Sequence, residues 1–291
     1  MSNSLFAPGH TACAGCGQSL AARLVIDACG PNTIIANNTG CLEVFSTKYP
    51  ESAWGVPWIH SLFENAAAVA SGIEAALKFL GKKEGINIIA QAGDGGTADI
   101  GLQALSGMWE RGHDILYVCY DNEAYMNTGV QRSGLTPFQT NTSTSPAAVK
   151  SMGNIRPKKP MPEIANAHGI VYVATASAAF PQDVQRKVKK AITMKGPKYI
   201  QIHAPCPLGW RHPSDATVPV GKLAVETGLY PLIEYENGKL TAVRQIQPKP
   251  VEEYLKPQGR FKHLLNNPEQ VKLIQAIADN NIEKYGLRGG A

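Results

Sequence analysis

The sequence predicts an α/β protein built on a doubly wound, mostly parallel β-sheet, and three observations point to this fold class. Short apolar runs rich in β-branched residues alternate with longer amphipathic segments over residues 18–204. Glycine-rich or polar turns follow several of these runs directly, as they do at the ends of parallel strands. The chain has 291 residues, of which 44% are hydrophobic, enough for one large domain and an extension.

The apolar periodicity places the elements in chain order. Helices are predicted over residues 18–28, 64–80, 99–111, 161–168, 181–195 and 268–285. Strands are predicted over residues 33–36, 86–90, 115–120, 171–175 and 198–204, and a hairpin over residues 230–244 that turns at Asn237-Gly238. Gly72, within the second helix, indicates a close backbone contact. We predict a main domain of residues 1–225 and a C-terminal extension, residues 226–291, that packs on this domain or on partner subunits.

The central unit, residues 86–130, reads as strand, glycine-rich turn, helix, strand and polar turn. Its first strand ends at the turn 93–96 (Gly-Asp-Gly-Gly) and its second strand at Asp121-Asn122. The carboxyl ends of parallel strands form the edge where ligands bind. Glycines let the backbone approach an anion, and carboxylate and amide oxygens suit Mg²⁺ that also binds substrate phosphates. The unit therefore predicts a magnesium–diphosphate site.

Four cysteines are predicted to lie at the same edge of the sheet. Cys13 and Cys16 precede a helix, whereas Cys41 and Cys206 each follow a strand. Four thiolates can bind zinc or an iron–sulfur cubane, and their spacing alone does not decide between the two. The isolated positions of Cys41 and Cys206 suit a cluster pocket better than a zinc site made of two local pairs.

Five further residues have ordinary structural explanations. Cys29 at a helix end and Cys119 within a strand are predicted to be buried free thiols. Glu64 begins a helix, where a carboxylate is electrostatically favoured, although an acid–base role is the alternative. His60 and His203 flank the segments of interest and are expected to be structural.

Composition excludes several classes of function. The formal net charge is +5, but no block of Lys and Arg interleaved with aromatic residues indicates nucleic-acid binding. No apolar run approaches the roughly 20 residues of a membrane span, and the N-terminus lacks the pattern of a signal peptide. We therefore expect a cytoplasmic protein, in which six cysteines favour metal binding or catalysis over disulfides. The polar segment 131–160 is either a functional, partner-ordered loop or a mobile one.

The motifs resemble those of a known family. GDG, followed after twenty-six residues by Asn, resembles the thiamine diphosphate signature, with Asp121-Asn122 where the family usually has Asn-Asn. DNEAYMNTG at 121–129, together with LFAPGHTACAGCG at 5–17 and HAPCPLGW at 203–210, resembles the β subunits of 2-oxoacid:ferredoxin oxidoreductases, in particular those acting on pyruvate. The likeness extends over most of the chain and implies a sheet of the thiamine diphosphate-binding type.

The resemblance also implies the ligands of three cofactors. Magnesium would be bound by Asp94, Asn122 and the backbone carbonyl of Ala124. Thiamine diphosphate would be contacted by Thr39, Gly40, Cys41, Gly93, Asp94, Gly95, Gly96, Asn122, Asn127 and Thr128. One 4Fe–4S cluster would be bound by Cys13, Cys16, Cys41 and Cys206. Gln18 stands where some relatives carry Glu.

The implied reaction is the reversible oxidative decarboxylation of pyruvate with coenzyme A to acetyl-CoA and CO2. Electrons would pass from the thiamine cofactor to the cluster and on to external ferredoxin. The chain has room for only one cofactor-binding module, so the activating Glu is expected on an α subunit with a pyrimidine-binding module, and no catalytic residue is assigned here. A γ subunit and a ferredoxin-like δ subunit would complete the enzyme. The alternatives are a β subunit for oxalate or branched-chain 2-oxoacids, and a non-catalytic zinc-binding assembly subunit.

Overall fold

The computed structural model describes residues 4–289. The α-helices are α1 (Gly17–Cys29), α2 (Cys41–Ser46), α3 (Ala66–Phe79), α4 (Asp94–Ala98), α5 (Leu102–Glu110), α6 (Met161–Ala167), α7 (Pro181–Thr193), α8 (Pro207–Trp210), α9 (Thr217–Glu226), α10 (Val251–Leu255) and α11 (Pro268–Tyr285). The strands are β1 (Thr33–Asn37), β2 (Trp58–His60), β3 (Asn87–Gly93), β4 (Leu116–Asp121), β5 (Ala147–Ala148), β6 (Ser151–Met152), β7 (Tyr172–Ser177), β8 (Lys198–His203), β9 (Ile233–Glu236) and β10 (Lys239–Val243). Two 3₁₀ helices cover Ser214–Ala216 and Gly259–Leu264.

One sheet organises the chain, with the strand order β10-β9-β7-β8-β4-β3-β1-β2. The six strands from β7 to β2 in this order pair in parallel, whereas β9 pairs antiparallel with both β7 and β10. β5 and β6 form a separate two-stranded ribbon. The mostly parallel α/β sheet predicted from the sequence is confirmed.

Helices cover both faces of the sheet, as β4 at its centre illustrates. All six residues of β4 are buried. Leu116, Val118 and Tyr120 point into the core on the face covered by α1 and α7, and Tyr117 and Cys119 point into the core on the face of α3 and α5. Each fully buried Leu or Val side chain contributes roughly 1.5–3 kcal/mol through removal from water. A strand buried on both faces is typical of a parallel sheet and fixes the register of its neighbours.

The helix predicted over residues 99–111 is α5, Leu102–Glu110, and a separate short helix that was not predicted, α4, precedes it. α4 begins at Asp94, inside the glycine turn, and the backbone leaves the helical region at Asp99 before α5 begins. A Cβ at Gly101 would overlap the carbonyl oxygen of Gly96, so only glycine fits where the chain passes from α4 to α5. The expected close contact at Gly72 is wrong, because a Cβ built there meets no atom within 4 Å.

The C-terminal residues add to the main sheet and pack against it. β9 pairs with β7, with Tyr235 opposite Val173, and α11 has the predicted bounds. A third apolar cluster joins Trp210 and Val220 to Phe261 and Ile274, so it includes residues on both sides of position 226. The extension therefore shares its core with the main domain.

The segment 131–160 is tied to the main domain by buried polar contacts. Within the segment itself, Asn154 Nδ2 donates hydrogen bonds to the carbonyl oxygens of Thr136 at 2.9 Å and Pro137 at 3.0 Å. Ser133 and Lys158 of the same segment contact charged residues at the strand ends. Over the described range, 4–289, no helix is both long and apolar enough to cross a membrane.

Candidate cofactor site

A cavity of about 480 Å³ opens at the carboxyl edge of the sheet. It lies where the segments after β1, β3 and β4 meet. β1 and β3 are neighbours, yet the chain leaves them in opposite directions, to β2 on one side and β4 on the other, which is the usual ligand-binding crevice of such sheets. All eleven residues predicted to contact thiamine diphosphate or magnesium line it: Thr39, Gly40, Cys41, Gly93, Asp94, Gly95, Gly96, Asn122, Ala124, Asn127 and Thr128.

Three polar groups converge at the floor of this cavity. The amide end of the Asn122 side chain lies 2.8 Å from Asp94 Oδ1 and 2.8 Å from the carbonyl oxygen of Ala124. With its nitrogen turned towards them, the amide donates a hydrogen bond to each oxygen. With its oxygen turned towards them, three oxygens face one point at the spacing of adjacent Mg²⁺ ligands, which are about 2.9 Å apart when each is roughly 2.0–2.1 Å from the ion. The donor set therefore fits magnesium.

The electrostatics of Asp94 also favour a cation. Its carboxylate is buried and accepts a hydrogen bond from Ser133 Oγ. Burial and the nearby charge of Asp121 raise the pKa of Asp94 well above its ordinary value. A bound divalent cation would offset both effects, because it stabilises the ionised carboxylate.

The glycine turn is shaped by two tight contacts and one open side. A Cβ at Gly95 would overlap the ring of Tyr125, and a Cβ at Gly96 would overlap Asn38 Nδ2. A Cβ at Gly93 would meet no atom within 4 Å, although Gly93 lines the cavity. The N–H groups in the first turn of a helix have no intrahelical acceptor, so α4 presents donors to the cavity. This surface can accept the oxygens of a diphosphate.

Three of the four predicted cluster cysteines lie at helix N-termini. Cys16 precedes α1 and its Sγ accepts a hydrogen bond from the N–H of Ser19 at 3.4 Å. Cys206 precedes α8 and its Sγ accepts a hydrogen bond from the N–H of Gly209, also at 3.4 Å. Cys41 is the first residue of α2. Helix N-termini stabilise anions, so these positions suit thiolates.

The four thiols lie close enough to influence one another. Burial, together with the charges of Cys206, Cys16, Cys13 and Asp94, raises the pKa of Cys41 to about 12. The pKa of Cys206 is raised to about 11 by burial and by Cys16 and Cys13. In the part of the chain that the structure describes, no three Cys, His, Asp or Glu side chains are arranged to bind a single metal ion. Cys41 also lines the cavity, so the thiol group and the glycine turn share one edge of the sheet.

Comparison with known proteins identifies the family. Residues 38–202 match the family model for the C-terminal thiamine pyrophosphate-binding domain of thiamine pyrophosphate enzymes. The chain is 59% identical over 284 residues to pyruvate synthase subunit PorB of Methanosarcina barkeri, with 96% of each chain covered. The chain belongs to the PorB family of 2-oxoacid oxidoreductase subunits. It is also 50% identical over 277 residues to ketoisovalerate oxidoreductase subunit VorB of Pyrococcus abyssi, covering 93% of this chain and 88% of that one.

A solved structure supports the fold of this PorB-family chain. The 2-oxoglutarate:ferredoxin oxidoreductase from Magnetococcus marinus, solved with 2-oxoglutarate, coenzyme A and succinyl-CoA bound, aligns with a TM-score of 0.57 at 20% identity. The alignment covers 90% of this chain and 91% of that chain. At this identity the likeness concerns the fold, which is that of the thiamine diphosphate-binding module. Thiamine diphosphate is the cofactor of the family, and magnesium and 4Fe–4S clusters are typical of its complexes.

The other residues singled out in the sequence occupy different positions in the PorB-family fold. Cys29 and Cys119 are buried free thiols, as predicted. His60 is exposed, and its Nε2 is 2.8 Å from the Oγ1 of Thr39, a residue that lines the cavity. His203 is fully buried, and burial lowers its pKa to about 3, so it is neutral at physiological pH. Glu64 is half-buried just before α3.

Sequence reasoning missed several residues that line the cavity. Leu42 and Phe63 lie beside it, and the Tyr125 hydroxyl, which donates to Asp99 Oδ2 at 3.1 Å, closes one wall. Asn38 and Met126 lie immediately beside Thr39 and Asn127, so the motifs offered a signal for these two. Gln18, for which the sequence suggested no definite role, lines the cavity too. When the Asn122 amide oxygen is turned towards Asp94, Asn122 Nδ2 donates a hydrogen bond of 3.4 Å to Gln18 Oε1.

A larger cavity of about 1200 Å³ lies between the sheet and the C-terminal extension. Most of its lining is apolar or aromatic, including Tyr230, Phe261 and Ile274. Lys158 and Glu123 reach its inner wall, but none of the residues predicted to bind a cofactor lines it. The residues predicted to bind cofactors therefore line the smaller cavity and not the larger one.

Proposed function

We propose that this chain is the β subunit of a pyruvate:ferredoxin oxidoreductase that converts pyruvate and coenzyme A to acetyl-CoA and CO2, reversibly, and passes electrons to ferredoxin. In this proposal Asp94, Asn122 and the Ala124 carbonyl bind Mg²⁺, and the glycine turn holds the diphosphate of thiamine diphosphate. Cys13 and Cys16, together with Cys41 and Cys206, bind one 4Fe–4S cluster.

One observation carries the proposal. The amide end of Asn122 is 2.8 Å from both Asp94 Oδ1 and the Ala124 carbonyl, at the floor of a cavity whose wall is the glycine turn. A hard divalent cation held by few protein oxygens keeps sites for phosphate oxygens, so this geometry suits a metal-bound diphosphate. When bound, thiamine diphosphate supplies the carbanion stabilisation that 2-oxoacid decarboxylation needs. The chain's own residues bind and orient it.

The place of Cys41 supports electron transfer at the same edge of the sheet. Its thiol is close enough to Cys206, Cys16 and Cys13 for their charges to raise its pKa, and Cys41 also lines the proposed cofactor cavity. A cluster bound by these thiolates would lie next to the thiamine site. Short distance favours direct transfer of electrons from the cofactor site to the cluster.

The proposal includes partner subunits. The relatives are named as subunits, which implies an assembly of several chains. We assign the Glu that activates the aminopyrimidine ring, and most of the 2-oxoacid pocket, to an α subunit with a pyrimidine-binding module. A γ subunit and a ferredoxin-like δ subunit would connect the cluster to external ferredoxin, in a cytoplasmic complex.

The decisive experiment uses the complete complex, purified without oxygen. Wild type is assayed with a low-potential dye and coenzyme A against pyruvate, 2-oxoisovalerate, 2-oxoglutarate and oxalate. Highest kcat/KM on pyruvate supports the proposal, and a preference for a branched-chain acid or oxalate overturns the substrate assignment. Asp94→Asn should abolish turnover and Mg²⁺-dependent thiamine diphosphate binding. The matched control is Asp279→Asn on the exposed face of α11, which should leave both unchanged.

The isolated chain provides a second test of the split site. Without its partners, the purified β subunit should show no oxidation of any 2-oxoacid, even when it is loaded with thiamine diphosphate, Mg²⁺ and iron. Turnover should return when the partner subunits are added. Robust turnover by the single polypeptide would refute the assignment of the activating Glu to another subunit.

A further inference from the structure

Residue 123 occupies a special place in the proposed magnesium loop. Glu123 stands between Asn122 and Ala124, whose side-chain amide and carbonyl oxygen meet at 2.8 Å. Its φ is 70°, the left-handed region that side chains other than Gly, Asn and Asp seldom adopt. This one residue turns the backbone so that its two neighbours face the same point. Because Glu has little intrinsic preference for this conformation, contacts with other residues must hold residue 123 in it.

The side chain of Glu123 is held by two cations inside the protein. Its Oε2 accepts a hydrogen bond from Arg260 Nη2 at 2.6 Å, and its Oε1 accepts one from Lys158 Nζ at 2.8 Å. Glu123 and Arg260 are each less than 5% exposed. Each oxygen of the Glu123 carboxylate is therefore paired with a cationic side chain.

The same cluster anchors the backbone on both sides of Glu123. Thr136 Oγ1 donates a hydrogen bond of 2.8 Å to the Glu123 carbonyl. The Arg260 guanidinium stacks on the Trp210 ring at 3.7 Å, and Trp210 Nε1 donates a hydrogen bond of 2.8 Å to the carbonyl of Asn122. Arg260 thus supports the loop through its ion pair and through the tryptophan beneath it.

The charges of the cluster are balanced without the metal site. Lys158 pairs with Asp121 at 2.8 Å as well as with Glu123, so two carboxylates face two cations, Lys158 and Arg260. His203, whose Nε2 is 3.7 Å from Glu123 Oε1, is neutral. The carboxylate of Asp94 therefore remains available to bind magnesium, while the ion pairs of Asp121, Glu123, Lys158 and Arg260 hold the loop in its conformation.

We propose that Arg260 and Lys158 are positioning residues for magnesium, because their ion pairs with Glu123 keep residue 123 in the left-handed conformation that brings Asn122 and Ala124 together. This inference rests on the proposed function, since it takes those two residues as metal ligands. It assigns a role in cofactor binding to the C-terminal extension, which supplies Arg260.

The first test measures metal binding in the whole complex after removal of Mg²⁺. Mn²⁺ is the probe, titrated in the presence of thiamine diphosphate, and free Mn²⁺ is followed by electron paramagnetic resonance. Arg260→Met should weaken Mn²⁺ binding at least tenfold, with kcat at saturating metal within about threefold of wild type. Arg186→Met is the control, because it breaks a buried-carboxylate pair with Glu234 that is remote from the cavity. Control binding should equal wild type.

A pair of double variants separates positioning from general stability. Arg260→Met/Glu123→Gly and Arg260→Met/Glu123→Ala both remove the unpaired carboxylate, but only glycine adopts a positive φ freely. The Gly variant should recover Mn²⁺ affinity to within about threefold of wild type, and the Ala variant should stay at least tenfold weaker. This comparison decides the question even where the single variant does not assemble. Equal affinity of the two double variants overturns the inference.

Failure of the inference and failure of the proposed function give different results. If wild type binds no Mn²⁺ and Asp94→Asn changes nothing, the metal site itself is wrong. If wild type binds Mn²⁺, Asp94→Asn abolishes the binding and Arg260→Met binds like wild type, the site stands and only the positioning role is refuted.

Discussion

Trp210 Nε1 donates a hydrogen bond of 2.8 Å to the backbone carbonyl of Asn122. Trp210 ends α8, a four-residue helix whose preceding residue is Cys206. One short helix thus has a predicted cluster ligand at its start and, at its end, a donor to the loop predicted to bind magnesium. The helix α8 therefore connects the proposed cluster site with the proposed magnesium site.

Removal of this hydrogen bond should weaken cofactor binding. Trp210→Phe leaves the buried carbonyl of Asn122 without its donor, at a cost of about 1–3 kcal/mol. We expect the affinity for thiamine diphosphate in the presence of Mg²⁺ to fall roughly tenfold, measured by calorimetric titration of the complex. Trp109→Phe is the control, because the Trp109 indole N–H has no partner among the described residues. Equal losses in both variants would show that ring size, and not the hydrogen bond, matters.

Alanine substitutions at two glycines of the turn should have different effects, one on the stability of the fold and the other on thiamine diphosphate binding. A Cβ at Gly96 overlaps Asn38, so Gly96→Ala should destabilise the fold by about 1–3 kcal/mol, as overpacking usually does. Gly93→Ala meets no protein atom but places a methyl group at the cavity wall. It should leave the melting temperature unchanged and weaken thiamine diphosphate binding, as read by thermal unfolding with and without the cofactor. Cofactor affinity equal to wild type in Gly93→Ala would contradict this place for the diphosphate.

The six cysteines should divide into two groups when each is replaced by alanine. Loss of any of the four at the carboxyl edge should remove iron and acid-labile sulfide and bleach the brown colour of the anaerobic complex. The four are Cys13, Cys16, Cys41 and Cys206. Replacement of Cys29 or Cys119, which are buried elsewhere, should leave the iron content unchanged. A colourless wild type that contains zinc, or iron loss in either control, would overturn the assignment.

The sheet edge formed by the C-terminal hairpin should be acid-labile. Burial raises the pKa of Glu234, but hydrogen bonds from Arg186, Lys190 and Tyr172 outweigh it and lower the pKa to about 2, below its ordinary value of 4.5. A lowered carboxyl pKa adds stability that is fully present above the ordinary value and is lost as the pH falls from about 4.5 to about 2. When denaturant midpoints are measured from pH 6 down to pH 3, the midpoint should decrease less with falling pH for Glu234→Gln than for wild type.

Glu269→Gln is the control for this acid dependence. Glu269 pairs with Lys272 on the exposed surface of α11, where an ion pair contributes little. Its midpoints should follow those of wild type across the whole pH range. If the denaturant midpoint depends on pH in the same way for Glu234→Gln and wild type, Glu234 does not stabilise the hairpin.

The sequence predicted those parts of the fold and site that depend on local chemistry. Strand ends, the glycine turn and the cysteines were recognisable because each carries its signal within a few residues, and all eleven predicted cofactor contacts line one cavity. The helix α4 was not predicted, because its residues Asp94–Ala98 include two glycines, which favour turns over helices. Trp210 and Arg260 were missed because their partners lie 88 and 137 positions away in the chain.

The ion pair between Glu123 and Arg260 also has a consequence for biosynthesis. Domains generally fold as the N-terminal part leaves the ribosome, yet the residue that pairs with Glu123 is translated 137 positions after it. The proposed metal loop therefore takes its final shape only after Arg260 has been translated. A prematurely terminated product lacking Arg260 would have every proposed magnesium ligand and still retain the cofactor poorly.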